Sequence, residues 1–115
     1  MHNFRELNIW KESMTLAKDV FMLTKTFPET EKYGLVSQMN RCSVSIPSNI
    51  AEGTGRNSDK ELQRFLNIAL GSCFELETQL LLARSFEYLD SDHTTSLTKK
   101  ITTIQKIISG FKKSL

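Results

Sequence analysis

The run SDKELQRFLNIALGSCFELETQLLLA, residues 58–83, decides the fold. It opens on Ser58 with Glu61 three positions later, the arrangement in which hydroxyl and carboxyl cap the orphan backbone donors of a helix start. Behind it, Leu62, Leu66, Ala69, Cys73, Leu76, Leu80 and Ala83 step alternately by four and three residues. That spacing places all seven on one stripe of a helix and is the seam geometry of packed helices. A strand would need alternation with period two, and none competes here. The pattern predicts a helix over 59–89.

A seam of this length needs partners, and the flanking sequence supplies three. Downstream, Leu97, Ile101, Ile104, Ile108, Phe111 and Leu115 repeat the same steps and predict a helix over 93–113, with Asp92 as its cap. Upstream, Leu35, Met39, Cys42, Ile46 and Ile50 predict a helix over 32–53. Pro47 lies inside it and removes one backbone donor, so a kink is expected, with a break into two helices as the alternative. Gly53-Thr54-Gly55 reads as its C-cap and turn. The first helix is expected over 8–26, capped by Asn8 and ended by Phe27-Pro28. Its apolar stripe is Trp10, Met14, Ala17, Phe21 and Thr24. Connections this short make neighbouring helices antiparallel. The expected fold is all-α: one up-down-up-down four-helix bundle spanning 1–115, a length that suits a single domain.

The first helix carries more apolar surface than one seam uses. Ile9, Leu16, Val20, Leu23 and Phe27 form a second stripe about 100° round from the first. Leu70, Phe74 and Leu81 add a similar excess to the third helix. Surplus apolar faces of this kind mark contact surfaces, which points to a homo-oligomer. A thick, kinked bundle that covers these residues itself is the alternative.

Composition closes off several classes of function. No apolar run exceeds four residues, so no membrane span or membrane partner is expected. The opening Met1–Glu6 has no apolar stretch of the kind a signal peptide needs. Two cysteines cannot build a disulfide scaffold, and a cytoplasmic location follows as the expectation. The histidines, His2 and His93, lack the Glu-x-x-His spacing of bundle metal sites. Cys42 and Cys73 lie on apolar stripes, where thiols are inert. Glu75 and Glu77 point to different sides of a helix. Gly53-Thr54-Gly55-Arg56 lacks the ending of a phosphate loop and follows a helix instead of a strand. No catalytic residue, metal or cofactor is expected, and the chain does not read as an enzyme.

Charge is more informative in its distribution than in its total of +2. Residues 92–115 hold Lys99, Lys100, Lys106, Lys112 and Lys113 against Asp92 alone. Arg56, Lys60 and Arg64 surround the start of the third helix, where backbone donors favour an anion. These eight side chains are the candidate nucleic-acid contacts. Lysines that merely solubilise an exposed helix are the alternative. Separately, Gln38, Arg41, Ser45, Asn49 and Glu52 make a polar stripe along the second helix, with Ser45 and Asn49 placed to bridge between Arg41 and Glu52. It is either a solvated face or a hydrogen-bond network at a subunit contact.

The string Tyr33-Gly34-Leu35, Gln38-Met39-Asn40-Arg41 and Ser45-Ile46-Pro47-Ser48-Asn49-Ile50-Ala51-Glu52-Gly53 is distinctive. With Leu7–Trp10 before it and Ala69-Leu70-Gly71-Ser72 and Glu75-Leu76 after it, the chain resembles the four-helix-bundle proteins encoded in intervening sequences of bacterial 23S rRNA genes. The resemblance implies a small cytoplasmic bundle assembled as a closed ring, a homopentamer, with Gln38, Arg41, Ser45, Asn49, Glu52 and Gly53 as motif and interface residues. A similar branch, the accessory proteins of diversity-generating retroelements, is basic and binds nucleic acid. This chain has Asn40-Arg41 where many relatives read Arg-Arg, and its charge is less positive than that branch implies. Three roles follow as expectations: binding of RNA or other nucleic acid through a basic face, a scaffold for a protein partner, or a passenger of the intervening element without a host function.

Overall fold

A computed structural model describes residues 2–115. It holds four helices: α1 (Asn8–Thr24), α2 (Leu35–Thr54), α3 (Asp59–Ser85) and α4 (Ser91–Ser114). Short 3-10 helices at Phe4–Glu6 and Glu29–Glu31 precede α1 and α2. Each helix packs on its sequence neighbours and α4 returns to α1, while among the described residues the backbones of the diagonal pairs stay apart across the core. The longest helix, 27 residues, should span about 40 Å, and the bundle is 43 Å long by 24 by 20 Å.

The directions follow from contacts between ends. Tyr88, just after α3, donates its hydroxyl to Glu31, just before α2, at 2.7 Å. Lys100 of α4 pairs with Asp19 of α1, and Gln63 of α3 donates to the Lys112 carbonyl of α4 at 3.3 Å. The Tyr88–Glu31 and Gln63–Lys112 pairings each join the end of one helix to the start of its neighbour, which requires antiparallel neighbours.

The expected seams of α2 and α3 are buried throughout, and Leu97, Ile101, Ile104 and Ile108 of α4 join them; Phe111 and Leu115 pack at the rim. In α1 the second stripe supplies most of the core face. The buried face is Ile9, Ser13, Leu16, Val20 and Thr24. Of the stripe expected to be core, Thr24 is buried and Trp10 packs partly against the core, while Met14 and Phe21 lie outward, 47% and 52% exposed. Ser13 tolerates the core because its hydroxyl donates to the Ile9 carbonyl one turn back. Both stripes are apolar enough to serve as a seam, and the register with α2 and α4 decided the face.

Helix caps differ from the sequence expectation in four places. Asn8 is the first helical residue of α1 and not its cap; Leu7 precedes it without a side-chain bond, and Asn3 caps the preceding 3-10 helix. Asp90 caps α4 in place of Asp92, accepting from the His93 amide at 2.8 Å. Ser58 accepts from the Glu61 amide at 3.2 Å, but the Glu61 carboxylate turns to Arg64 instead of closing the box. Gly53 is no C-cap. It is buried inside α2, Gly55 caps the helix, and a Cβ on Gly53 would lie 2.8 Å from Phe65 Cβ. Gly53 therefore marks a close approach of α2 and α3. α2 runs unbroken through Pro47, which excludes the two-helix alternative.

The end of α3 is a Schellman motif, with the Tyr88 amide bonded to the Ala83 carbonyl and the Glu87 amide to that of Arg84. Glu87 occupies its left-handed position, at φ 66°, where glycine is usual.

Candidate functional site

Three surfaces are candidates for function, and the sequence pattern builds each. The first is the outer face of α4. Lys99, Lys106 and Lys113 recur every seven residues, which puts them about 10 Å apart in a row along the helix. All three are exposed, and none makes an ion pair among the described residues. The other two lysines of the segment leave this row. Lys100 turns to α1 and is neutralised by Asp19. Lys112 sits half-buried on the α3 side, where its carbonyl receives Gln63.

Arg56, Lys60 and Arg64 gather at the same end of the bundle as the close of α4. Arg56 pairs with Glu52 at 2.8 Å and Arg64 with Glu61 at 3.0 Å. Both guanidinium groups lie over the ring of Phe65, at 4.8 and 4.5 Å from its centre. The Arg64 guanidinium holds the Glu61 carboxyl below the usual carboxylate range. Of these three, only Lys60 has no ion pair.

The second surface is the polar stripe of α2, which faces a groove against α3. Gln38, Arg41, Cys42 and Ser45 line one wall, and Ser72 and Glu75 the other, around about 370 Å³. Asn49 donates its side-chain amide to the Ser45 carbonyl at 2.8 Å and to the Ser45 hydroxyl at 2.9 Å. The Ser45 and Ser72 hydroxyls are 3.0 Å apart. The Cys42 thiol donates to the Ser72 carbonyl at 3.0 Å. Ser45 and Asn49 thus bond to each other and across to α3, not between Arg41 and Glu52, because Glu52 turns to Arg56. Burial, reinforced by the Glu75 charge, pushes the Cys42 thiol up to about 12. Burial does the same to Cys73, also to about 12, with Glu77 adding to it. Neither cysteine is a nucleophile at neutral pH. Ser72 and Glu75 were not among the expected site residues. They lie 27 or more positions from their α2 partners, so only the antiparallel pairing reveals them.

The third surface is apolar. With Met14 and Phe21 turned outward, a groove of about 600 Å³ opens between α1 and α2, lined by Trp10, Met14, Phe21, Val44, Pro47 and Ala51 among others. On a different side, the outer face of α3 exposes Ile68, Phe74, Leu81 and Leu82, each 41% or more. Leu70, the remaining residue of that expected excess, packs partly against the core.

No helix is long and apolar enough to cross a membrane among the described residues. No group of three or more His, Cys, Asp or Glu among them could hold a metal ion. His2 packs edge-on against Phe111, and His93 bonds to Asp90 at 2.9 Å.

The family described as 23S rRNA-intervening sequence protein matches this chain over residues 5–110. The chain belongs to that family. A crystal structure of a protein with unknown function from the S23 ribosomal protein family of Bacteroides thetaiotaomicron superposes with a TM-score of 0.82 at 25% identity, covering 91% of this chain and 98% of that one. No protein with a curated description matches. The family name records a genomic setting and the structural relative a classification; neither states a reaction.

Proposed function

We propose that this chain is a non-enzymatic, cytoplasmic, ring-forming homo-oligomer that binds RNA through the outer face of α4. The observation that carries the nucleic-acid reading is the row of Lys99, Lys106 and Lys113, three uncommitted cations on one straight face. The residues between them are Thr102, Thr103, Ser109 and Gly110, small enough to let a phosphate backbone lie close. No aromatic side chain interrupts the row, so the contacts are to phosphates and carry no base readout. Closure into a ring repeats the row around the assembly, and weak patches presented together gain avidity.

The ring rests on the two apolar faces. The α1/α2 groove and the outer face of α3 are different surfaces, so copies joined through them meet head to tail and close into a ring if the rotation allows. Five copies is the number that the resemblance noted above implies.

The test is fluorescence anisotropy of labelled structured RNA, single-stranded RNA and duplex DNA at two salt concentrations. Saturable binding that weakens steeply with salt is expected, and the triple variant K99Q/K106Q/K113Q should lose it. Unchanged affinity in that variant would refute the assignment of the face. Absence of binding at low salt by an assembled protein would refute the RNA reading and favour a protein partner or a passenger of the intervening element.

A further inference from the structure

The polar groove between α2 and α3 is an independent feature, and its hydrogen-bond accounting does not close. Ser45 accepts from Asn49, and Ser45 and Ser72 share one further hydrogen bond. Two hydroxyls bring two protons, and the shared bond uses one of them. The other has no acceptor in the chain, although Ser72 is only 8% exposed. Arg41 is exposed and has no ion-pair or hydrogen-bond partner among the described residues, which leaves its donors to solvent or a ligand. Glu75 receives only the long 3.6 Å contact of the Cys42 thiol, whose proton already serves the Ser72 carbonyl. Arg41 and Glu75 line the same groove yet do not pair with each other.

An uncommitted guanidinium, an uncommitted carboxylate and a spare hydroxyl proton on one wall-to-wall groove ask for a ligand with both charges. A simple anion would be repelled by Glu75, and a simple cation by Arg41. The geometry points to a binding site for a free α-amino acid, its carboxylate held by Arg41 and the spare serine proton and its ammonium by Glu75. The groove, about 370 Å³, accommodates a small or medium amino acid, and its open side leaves the ligand side chain toward solvent. Gln38 at the rim adds an amide that either end can use. The cysteine stays a thiol at neutral pH and places no second negative charge beside Glu75.

Saturation-transfer difference NMR on the full chain tests this, with L-alanine, L-serine and L-glutamine at millimolar concentration beside acetate and methylammonium. Transfer to the amino acids is expected, with neither half-molecule binding comparably. Arg41→Gln and Glu75→Gln remove exposed charges and should leave the circular dichroism spectrum unchanged. Each should weaken the amino acids by about tenfold or more, the loss of one charged hydrogen-bonding partner. Three outcomes overturn the proposal: no transfer from any of the amino acids, transfer that survives both substitutions, or substitutions that lower the assembled mass while no amino acid binds. The last would assign the two charges to a subunit contact.

Discussion

Gly53→Ala and Gly110→Ala are the same chemical change in two helices and should move stability in opposite directions. In an unobstructed helix, alanine is better than glycine by about 1 kcal/mol. Gly110 in α4 is exposed, and a Cβ there meets nothing within 4 Å, so the full propensity gain applies. Gly53 in α2 is buried, and its new Cβ would lie 2.8 Å from Phe65 Cβ and 3.0 Å from Leu62 Cδ1. Phe65 Cβ is fixed to the α3 backbone and cannot swing away as a chain end would. α2 and α3 must separate, and over-packing of this kind costs about 1–3 kcal/mol. Set against the propensity gain, the expected net loss is about 1 kcal/mol, or near 4 °C in melting temperature for a chain of this length. Urea unfolding followed by circular dichroism measures both variants, at one fixed protomer concentration because assembly shifts apparent stability. Gly53→Ala should unfold at lower urea than the natural chain, and Gly110→Ala at higher. A Gly53→Ala variant as stable as Gly110→Ala would refute the close approach of α2 and α3.

Other substitutions test separate parts of the fold. Glu87→Gly relieves a left-handed residue at the α3 Schellman turn and should raise stability by about 1 kcal/mol in the same urea assay. Gln79→Leu should also stabilise, by about 1 kcal/mol, because Gln79 is 6% exposed and its side-chain oxygen has no hydrogen-bond partner. The Glu31 carboxyl is held below its usual range by the Tyr88 hydroxyl and then by the Leu35 amide. Its folded pKa lies below the unfolded one, so its contribution is complete above the unfolded value near 4.3 and disappears as pH falls through the folded value. Urea midpoints of the natural chain and Glu31→Gln should therefore differ at pH 7 and converge below pH 4; a constant gap across that range would contradict the Tyr88–Glu31–Leu35 linkage.

Three of the four seams were legible because each had one dominant apolar stripe with an unbroken four-three spacing, even in α3, where Phe74 and Leu81 add apolar surface on the outer face. In α2, Leu35, Met39, Cys42, Ile46 and Ile50 all reached the core. α1 has two stripes of similar strength, and periodicity alone cannot choose between them. The choice fell to neighbours that periodicity does not see, and it buried Ser13 while leaving Met14 and Phe21 at the surface. Caps were ambiguous where several cap-forming residues adjoin, as in Asp90-Ser91-Asp92. Gly53 carried the local signature of a helix end, yet its role came from Phe65 and Leu62 on another helix. The same limit explains the candidate sites. The repeat of Lys99, Lys106 and Lys113 is visible in the sequence, but the capture of Lys100 by Asp19 is not. Arg41 and Ser45 stood out on α2, whereas Ser72 and Glu75 acquired meaning only when α3 was laid against it.

Sedimentation equilibrium at tens of micromolar protomer tests most directly the claim that these apolar faces join copies of the chain. The natural protein should sediment as a multiple of its 13.2 kDa chain, and Phe21→Glu in the α1/α2 groove or Leu82→Glu on the outer face of α3 should each return it to the single-chain mass with its helical content intact. A natural chain that sediments at 13.2 kDa, or an assembly indifferent to both substitutions, would contradict the account.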